Sequence, residues 1–376
     1  MSDFWLYTAI VILKVVIVLA VTVGSVPAMV LAERKVLGWM QVRPGPNRVG
    51  PWGLLQTIVD GMKVFFKETV IPSGVERPLY ELAPLLVVVP ALVVSSVVPF
   101  GPIIEVAGVR IRLSVTDLDL GLVFYFAVTS LTVYGVVLAG WSSNNKWSLL
   151  GGLRSSAQLV SYEITLALSV VGVLLLCGTF NLREIADQQA GGFWHWNVCR
   201  QPVGLVLFFV AGLAENNRLP FDLPEAESEL TAGYHTEYSS MRFVMFYMAE
   251  YMNVFLTSAV IVTLFLGGFH PPYSFQFGTT PLDGAIGVVW FGMKVGVLVF
   301  TYIWIRGTLP RLRYDQLMAL GWKVMLPLAF INLFVTAFLI AFERPWWEMG
   351  LAGAAMIILT DAVLSQILWR RRRASR

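Results

Sequence analysis

The sequence predicts an all-α integral membrane protein of about nine transmembrane helices. Its N-terminus is expected outside and its C-terminus in the cytoplasm, with a further amphipathic helix on the cytoplasmic side. Composition makes the first case. Of 376 residues, 57% are hydrophobic and only 14% charged, with a mean hydropathy of +0.70. Soluble domains sit nearer 45–50% apolar and roughly 25% charged. The second observation is spacing: the apolar runs are each roughly 20 residues, the length that crosses ~30 Å of hydrocarbon as a helix. The third is charge asymmetry, taken up below.

The runs place spans at about 4–31, 82–99, 119–141, 156–178, 202–220, 243–267, 285–305, 324–342 and 349–369. The first run is too long for a signal-peptide core and lacks an early basic segment, so it reads as a span. The fifth is the weakest, because its apolar stretch stops at Ala214 and runs into an acidic segment. Of 27 Lys and Arg, 20 follow the apolar runs of odd-numbered spans, counting Arg218 after the fifth run, which stops at Ala214, and 5 follow even-numbered ones; Lys14 and Lys294 lie inside spans. Short loops rich in Lys and Arg stay cytoplasmic, which sets the orientation. The tail Arg370–Arg373 then acts as a cytoplasmic stop. No repeat or low-complexity segment breaks the chain, so residues 1–376 are read as one polytopic domain.

Some chemistries are excluded early. Cys177 and Cys199 stand far apart and there are only three histidines. An iron–sulfur cluster or structural zinc needs about four close thiolate or imidazole ligands. No phosphate-binding loop or dinucleotide fingerprint is present. The chain is therefore expected to hold no metal or cluster of its own and to bind no nucleotide through a recognisable motif; no flavin and no nucleic-acid partner are expected either.

Hydrophilic mass gathers on the cytoplasmic side in three pieces: residues 32–81, 215–242 and 306–323. The first and third are net basic, the second net acidic. Opposed charges on one side suggest a docked surface. In the first piece, RPGPNRVGPWG holds Pro44, Pro46 and Pro51, each fixing φ near −65°, so this loop is stiff. From Gly53 the pattern becomes helical. Leu55, Ile58, Val59, Met62, Phe65 and Phe66 share one face, and Gln56, Asp60, Lys63 and Lys67 the other. Such a helix lies along a membrane surface. It serves either as an interfacial anchor or as a lateral gate for a long lipophilic molecule, with Asp60 and Lys63 inside a cavity.

The second piece carries most of the acid. Within residues 213–238 stand Glu215, Asp222, Glu225, Glu227, Glu229 and Glu237, opposed only by Arg218. A solvated loop is the bland reading, but Leu219, Phe221, Leu223 and Leu230 interleave the acids and favour partial burial. Two more acids fall within spans: Glu163 in AQLVSYEITLAL and Glu250 in YMAEYMNVF. A charge at mid-helix depth costs ~2.5–3.5 kcal/mol even on the gentlest scale, so such groups usually face a partner or a wet cavity. Together these carboxylates read as a proton relay. Lys14, Lys294 and Asp361 read as packing or snorkelling residues. Arg306, Arg311 and Arg313 are expected either to counter the acidic loop or a neighbouring subunit, or simply to obey the positive-inside rule.

Five stretches together carry a resemblance: ERKVLGWMQVRPGPNRVGPWGLLQ with DGMKVFFKE; AQLVSYE; AENNRLPFDLPEAESELTAGYHTEYSSM; FYMAEY; and RGTLPRLRYDQLM with LGWK. They resemble the quinone-chamber membrane subunit of respiratory complex I, the proton-pumping NADH:quinone oxidoreductase. The family is known as the H type in bacteria and as subunit 1 in mitochondria. The matches extend from residue 33 to 323.

The resemblance implies a bundle of eight or nine tilted helices beside a hydrophilic arm. It implies ubiquinone or menaquinone as the bound substrate, admitted between the first and sixth spans and the amphipathic helix. Partners would be hydrophilic subunits carrying the terminal iron–sulfur cluster, antiporter-like and small membrane subunits, and membrane lipid. Arg34, Asp60, Gly61, Phe65, Arg218, Met248 and Arg306 map onto the quinone cavity and its supports. Glu163, Glu215, Glu225, Glu227, Glu229 and Glu250 map onto a glutamate chain leading away from it. The bacterial inner membrane is the implied location. The extra C-terminal helix and basic tail, residues 349–376, are variable among relatives. Three rivals remain: the equivalent subunit of a membrane-bound hydrogenase or formate-linked complex, a free-standing ion-coupled transporter, and a purely structural subunit.

Overall fold

The computed structural model describes residues 2–106, 108–222, 232–275 and 277–374, and these are overwhelmingly helical. In chain order the helices are α1 (Ser2–Met40), α2 (Gln56–Phe65), α3 (Arg77–Val94), α4 (Gly121–Thr129), α5 (Leu131–Ser142), α6 (Lys146–Cys177) and α7 (Leu182–Asp187). They continue with α8 (Asn197–Arg200), α9 (Pro202–Glu215), α10 (Ser240–Phe265), α11 (Pro281–Thr308), α12 (Tyr314–Leu320), α13 (Leu326–Ala341) and α14 (Trp346–Ala374). Among the described residues seven stretches are long and apolar enough to cross a membrane: Tyr7–Met40, Arg77–Val94, Gly121–Ser142, Lys146–Cys177, Ser240–Phe265, Pro281–Thr308 and Tyr314–Ala341. Each matches an expected span. The fifth expected span is α9, which at 14 residues is shorter than the rest. The all-α membrane fold is therefore correct, and the protein is multi-pass.

Two features depart from expectation. A two-stranded antiparallel hairpin, β1 (Ile103–Val106) and β2 (Val109–Arg112), joins α3 to α4, with Ile104 opposite Ile111. Its backbone is further tied down by Glu105 N–H, which donates to the Thr279 carbonyl at 2.6 Å. The second departure matters more. The apolar pattern ends the first span at residue 31, before Glu33-Arg34-Lys35, but α1 continues to Met40. Charge alone does not end a helix when tertiary partners neutralise it. What ends α1 is the turn at Val42 (φ +54°) and Arg43, whose N–H returns to the Gly38 carbonyl at 2.9 Å.

Helix α10 is the hub. In its most apolar stretch 78% of residues are buried, against 6% for α1 and 22% for Tyr314–Ala341. The last two therefore present apolar faces outward, to lipid or to neighbouring proteins. Lys294 on α11 secures the far end of α10. Its Nζ donates to the carbonyls of Leu266 (2.5 Å), Gly268 (2.9 Å) and His270 (2.6 Å), over the Trp196 ring. Those carbonyls lie at and beyond a helix C-terminus, where a cation is favoured. Lys294, expected as a packing or snorkelling residue, is thus turned inward onto backbone carbonyls.

Small residues set the closest approaches, as expected where lipid offers no hydrophobic drive and van der Waals contact holds helices together. A Cβ on Gly140 of α5 would lie 3.3 Å from the Cα of Gly152 on α6, and one on Gly151 would lie 2.6 Å from the Cα of Gly233. Gly151→Val is expected to wedge α6 away from the 233–235 turn. The expected cost is ~1–3 kcal/mol of overpacking, read as a lower thermal midpoint in detergent.

Candidate functional site

The site begins with a carboxylate that hydrocarbon alone would not tolerate. Glu33, on α1, is buried. Arg218 Nη1 lies 3.3 Å from its Oε2, the Tyr251 hydroxyl donates to the same oxygen at 2.9 Å, and Arg306 donates to Oε1. Arg218 faces the other way as well: its Nε stands 2.6 Å from Glu250 Oε1, and its guanidinium lies over the Tyr251 ring at 4.0 Å. Three helices supply these groups, with α1 giving Glu33, α10 giving Glu250 and Tyr251, and α11 giving Arg306. The fourth contributor is the turn after α9. Removing one partner of such a group strands an uncompensated charge, which costs several kcal/mol. Of the candidates, Arg218, Arg306 and Glu250 converge here.

Two cavities meet at this network. The first lies between α1, α10 and α11, lined by Met29, Glu33, Arg218, Tyr251, Tyr302 and Arg306 among others. The second is lined by Glu250, Glu215, Asn216, Asn217, Asn253 and Tyr234. Glu250 thus has Arg218 on one side and an asparagine-rich cavity on the other. Glu215 at the end of α9 keeps one buried oxygen, Oε2, without a hydrogen-bond partner among the described residues. Glu163 on α6 is half-buried and is the carboxylate whose charge Glu215 feels. Glu33, Glu250, Glu215 and Glu163 therefore form a discontinuous row of acids. Glu225, Glu227 and Glu229 lie outside the described residues.

The turn that carries Arg218 is held by side chains, which is why it can present a charge accurately. Gln158 Nε2 donates to the carbonyls of Ala214 (2.7 Å) and Phe221 (3.0 Å). Leu312 N–H donates to the Pro220 carbonyl at 3.0 Å, and Arg311 Nη2 reaches Asp222 Oδ2 at 3.1 Å. The basic 306–323 piece does counter the start of the acidic one. Nearby, Tyr162 donates to the Leu317 carbonyl at 2.9 Å, just before the π-helical turn Gly321–Met325. Such turns often mark functional sites.

The remaining quinone-site candidates sit on or near the surface helix. α2 forms as expected, without a buried residue. Arg34 Nη1 meets Asp60 Oδ2 at 2.5 Å, and Gln56 donates to Asp60 Oδ1 at 2.9 Å. The hydrogen bond from Arg34 holds the Asp60 carboxyl below the usual range despite some desolvation. Ser240 Oγ lies 3.0 Å from the carbonyls of both Val64 and Lys67 and shares its one hydrogen between them, pinning the end of α2 to the start of α10. Gly61 has open space where a Cβ would stand, and Phe65 is 68% exposed. Met248 packs partly buried against the core. The candidates thus fall into two groups, one around Arg34–Asp60 and one around Arg218–Arg306, joined through the neighbours Glu33 and Arg34 on α1. Phe65 and Gly61 face open space rather than a closed cavity.

Two members of the network, Glu33 and Tyr251, were not among the residues that the sequence singled out. Glu33 begins a charged triplet and so has the look of a loop residue. The signal available was its place four residues after Met29 on an unbroken helical register, which turns it toward the same neighbours.

Comparison with known proteins agrees with the resemblance. The family model described as NADH dehydrogenase matches residues 13–337. An NADH-quinone oxidoreductase subunit of the H type from Koribacter versatilis is 49% identical over 355 residues, covering 91% of this chain and 100% of that relative. The corresponding protein from Protochlamydia amoebophila is 48% identical, covering 82% and 91%. That from Brevibacillus brevis is 48% identical, covering 90% and 96%.

Two outcomes are expected of the site. Arg218→Gln leaves Glu33 short of one partner and Glu250 facing no guanidinium, and is expected to cost ~3–5 kcal/mol. Adding Glu250→Gln to it should restore part of the lost thermal midpoint. The second concerns His235, buried beside the acidic loop, whose pKa burial pushes down to about 4 against the opposing pull of Asp222. A group depressed in the fold is protonated first in the unfolded chain. Its stabilisation is complete above about pH 6.5 and drains away as pH falls toward 4, by up to ~3 kcal/mol. His235→Gln is expected to flatten that part of the stability–pH curve.

Proposed function

The chain belongs to the NADH dehydrogenase family of complex I membrane subunits, and from that premise we propose that it forms the quinone cavity and the start of a proton relay. It works as one subunit of a larger enzyme complex, NADH:quinone oxidoreductase. The relatives' names favour the quinone enzyme over a hydrogenase- or formate-linked complex. Quinone is the substrate, and electrons come from partner subunits that hold the flavin and iron–sulfur clusters. The proposed setting is the bacterial inner membrane, with the N-terminus outside and the acidic loop in the cytoplasm.

One observation carries the reading: Arg218 is shared between Glu33 in the cavity of α1, α10 and α11 and Glu250 on the carboxylate row. Reducing a quinone adds negative charge before protons arrive. Charge appearing in that cavity competes with Glu33 and Glu250 for Arg218 and Arg306. A carboxylate that loses its cation in a low-dielectric site becomes a stronger base and takes up a proton. Glu250 would pass that change to Glu215 across their common cavity, and Glu215 to Glu163. Glu225, Glu227 and Glu229 complete the relay in the proposal. Arg34, Asp60, Gly61, Phe65 and Met248 line or support the route by which quinone arrives from the membrane. The exposed apolar face of α2 and the open space at Gly61 suit that role.

The test is to purify the tagged chain in mild detergent and assay what accompanies it. Inhibitor-sensitive NADH:quinone reduction with flavin and iron–sulfur absorption is the expected result. A cofactor-free chain alone in several mild detergents would return the transporter reading. In the assembled enzyme, Glu163→Gln combined with Glu225→Gln, or Glu215→Gln alone, is expected to lower proton translocation at least ~10-fold. Normal assembly with unchanged protons per electron would overturn the relay.

A further inference from the structure

A third cavity lies at the other end of the bundle. Arg183, which helps line it, stands within the field of Lys14 on α1. Lys14 is 19 residues from Glu33 on the same helix, about 28 Å along its axis at 1.5 Å per residue. The cavity sits between the β-hairpin, α7 and the loop after α10, and has an open mouth. Its polar wall is Arg183, Asp187, His270, Ser274 and Thr279; its apolar wall includes Pro102, Ile103, Phe269, Phe275 and Phe277. None of these groups takes part in the quinone or proton chemistry above.

The polar wall is incompletely satisfied. Arg183 and His270 are each only 7% exposed. Arg183 Nη1 has no hydrogen-bond partner among the described residues, and neither does either ring nitrogen of His270. Asp187, whose side chain is 52% exposed, reaches both only loosely: 3.8 Å from Arg183 Nε and 3.6 Å from His270 Nε2. Arg112 and Asp117, whose charges also act on Arg183, are paired with each other at 2.8 Å. A buried guanidinium edge without an acceptor has given up its hydration for nothing in return, so an acceptor is expected there in the membrane.

The charges suggest its form. A buried cation and a half-exposed carboxylate stand side by side, which suits a ligand carrying both an oxyanion and a cation. The aromatic wall suits acyl chain. We propose that this cavity is a phospholipid headgroup site, taking a phosphate on Arg183 and His270 and a headgroup ammonium on Asp187. The planar guanidinium matches a phosphate edge, and the imidazole ring supplies a further N–H donor. The lipid so held would brace α7 and the loop after α10 against each other at the membrane boundary. This inference is independent of the quinone reading.

The test uses the intact purified assembly, stripped of loosely held lipid and examined by native mass spectrometry. Phosphatidylethanolamine, phosphatidylglycerol and inorganic phosphate are added in separate arms. Preferential retention of phosphatidylethanolamine is expected, weakened about tenfold by Arg183→Gln, the equivalent of one charge-assisted hydrogen bond. Asp187→Asn is expected to abolish the preference over phosphatidylglycerol while leaving phosphate binding. Equal retention by wild type and Arg183→Gln would overturn the site. Equal retention of the two lipids by wild type would overturn the zwitterionic assignment, and protection by inorganic phosphate alone would overturn the lipid. Should Arg183→Gln fail to assemble, His270→Gln and Asp187→Asn carry the test. Unchanged lipid retention and selectivity in both would overturn the proposal.

Discussion

The arrangement depends on burying Glu33 without isolating it. A carboxylate taken out of water is tolerable only with partners, and this one has Arg218, Arg306 and Tyr251. Each partner arrives on a different element, so the requirement to neutralise one charge ties α1, α10, α11 and the turn after α9 together. The same requirement places Arg218 within reach of Glu250. One arginine thus serves two carboxylates on two different helices. Nothing else described at this end of the molecule joins so many elements through so few atoms.

The rest of the bundle holds that object steady. α10 is enclosed along much of its length, and its two ends are secured differently: Ser240 meets the carbonyls at the end of the surface helix, while Lys294 gathers three carbonyls at the other end. Gln158 fixes the turn that carries Arg218. In a membrane these polar contacts achieve what apolar burial cannot, because lipid solvates an apolar side chain as well as protein does. Polar side chains are accordingly sparse in the spans and placed where backbone must be held.

The two ends also differ in how their charges are balanced. Near Glu33, every carboxylate of the central network faces a cation, and the acids beyond it open onto a polar cavity. At the other end, Arg183 and His270 are buried with donors and ring nitrogens unused. Arg218 likewise keeps Nη2 without a hydrogen-bond partner among the described residues, so the two ends differ in how closely their charges are paired and not in whether every donor is used.

Hydrophobic run length and Lys/Arg placement determined the all-α membrane class and located the main spans, because crossing a bilayer imposes a length that composition alone records. The periodicity after Gly53 likewise determined α2, since an amphipathic face is a local pattern. The ends of elements were less legible. α1 passes straight through Glu33-Arg34-Lys35, because whether a charge ends a span depends on partners far away in sequence. Glu163, Glu215 and Glu250 were visible as anomalies, acids set in or against hydrocarbon. That Glu33 and Glu250 grip the same arginine was decided only by tertiary structure. Pairing is a property of distances between helices, and Arg218 and Arg306 stand 185 and 273 residues beyond Glu33 in the chain.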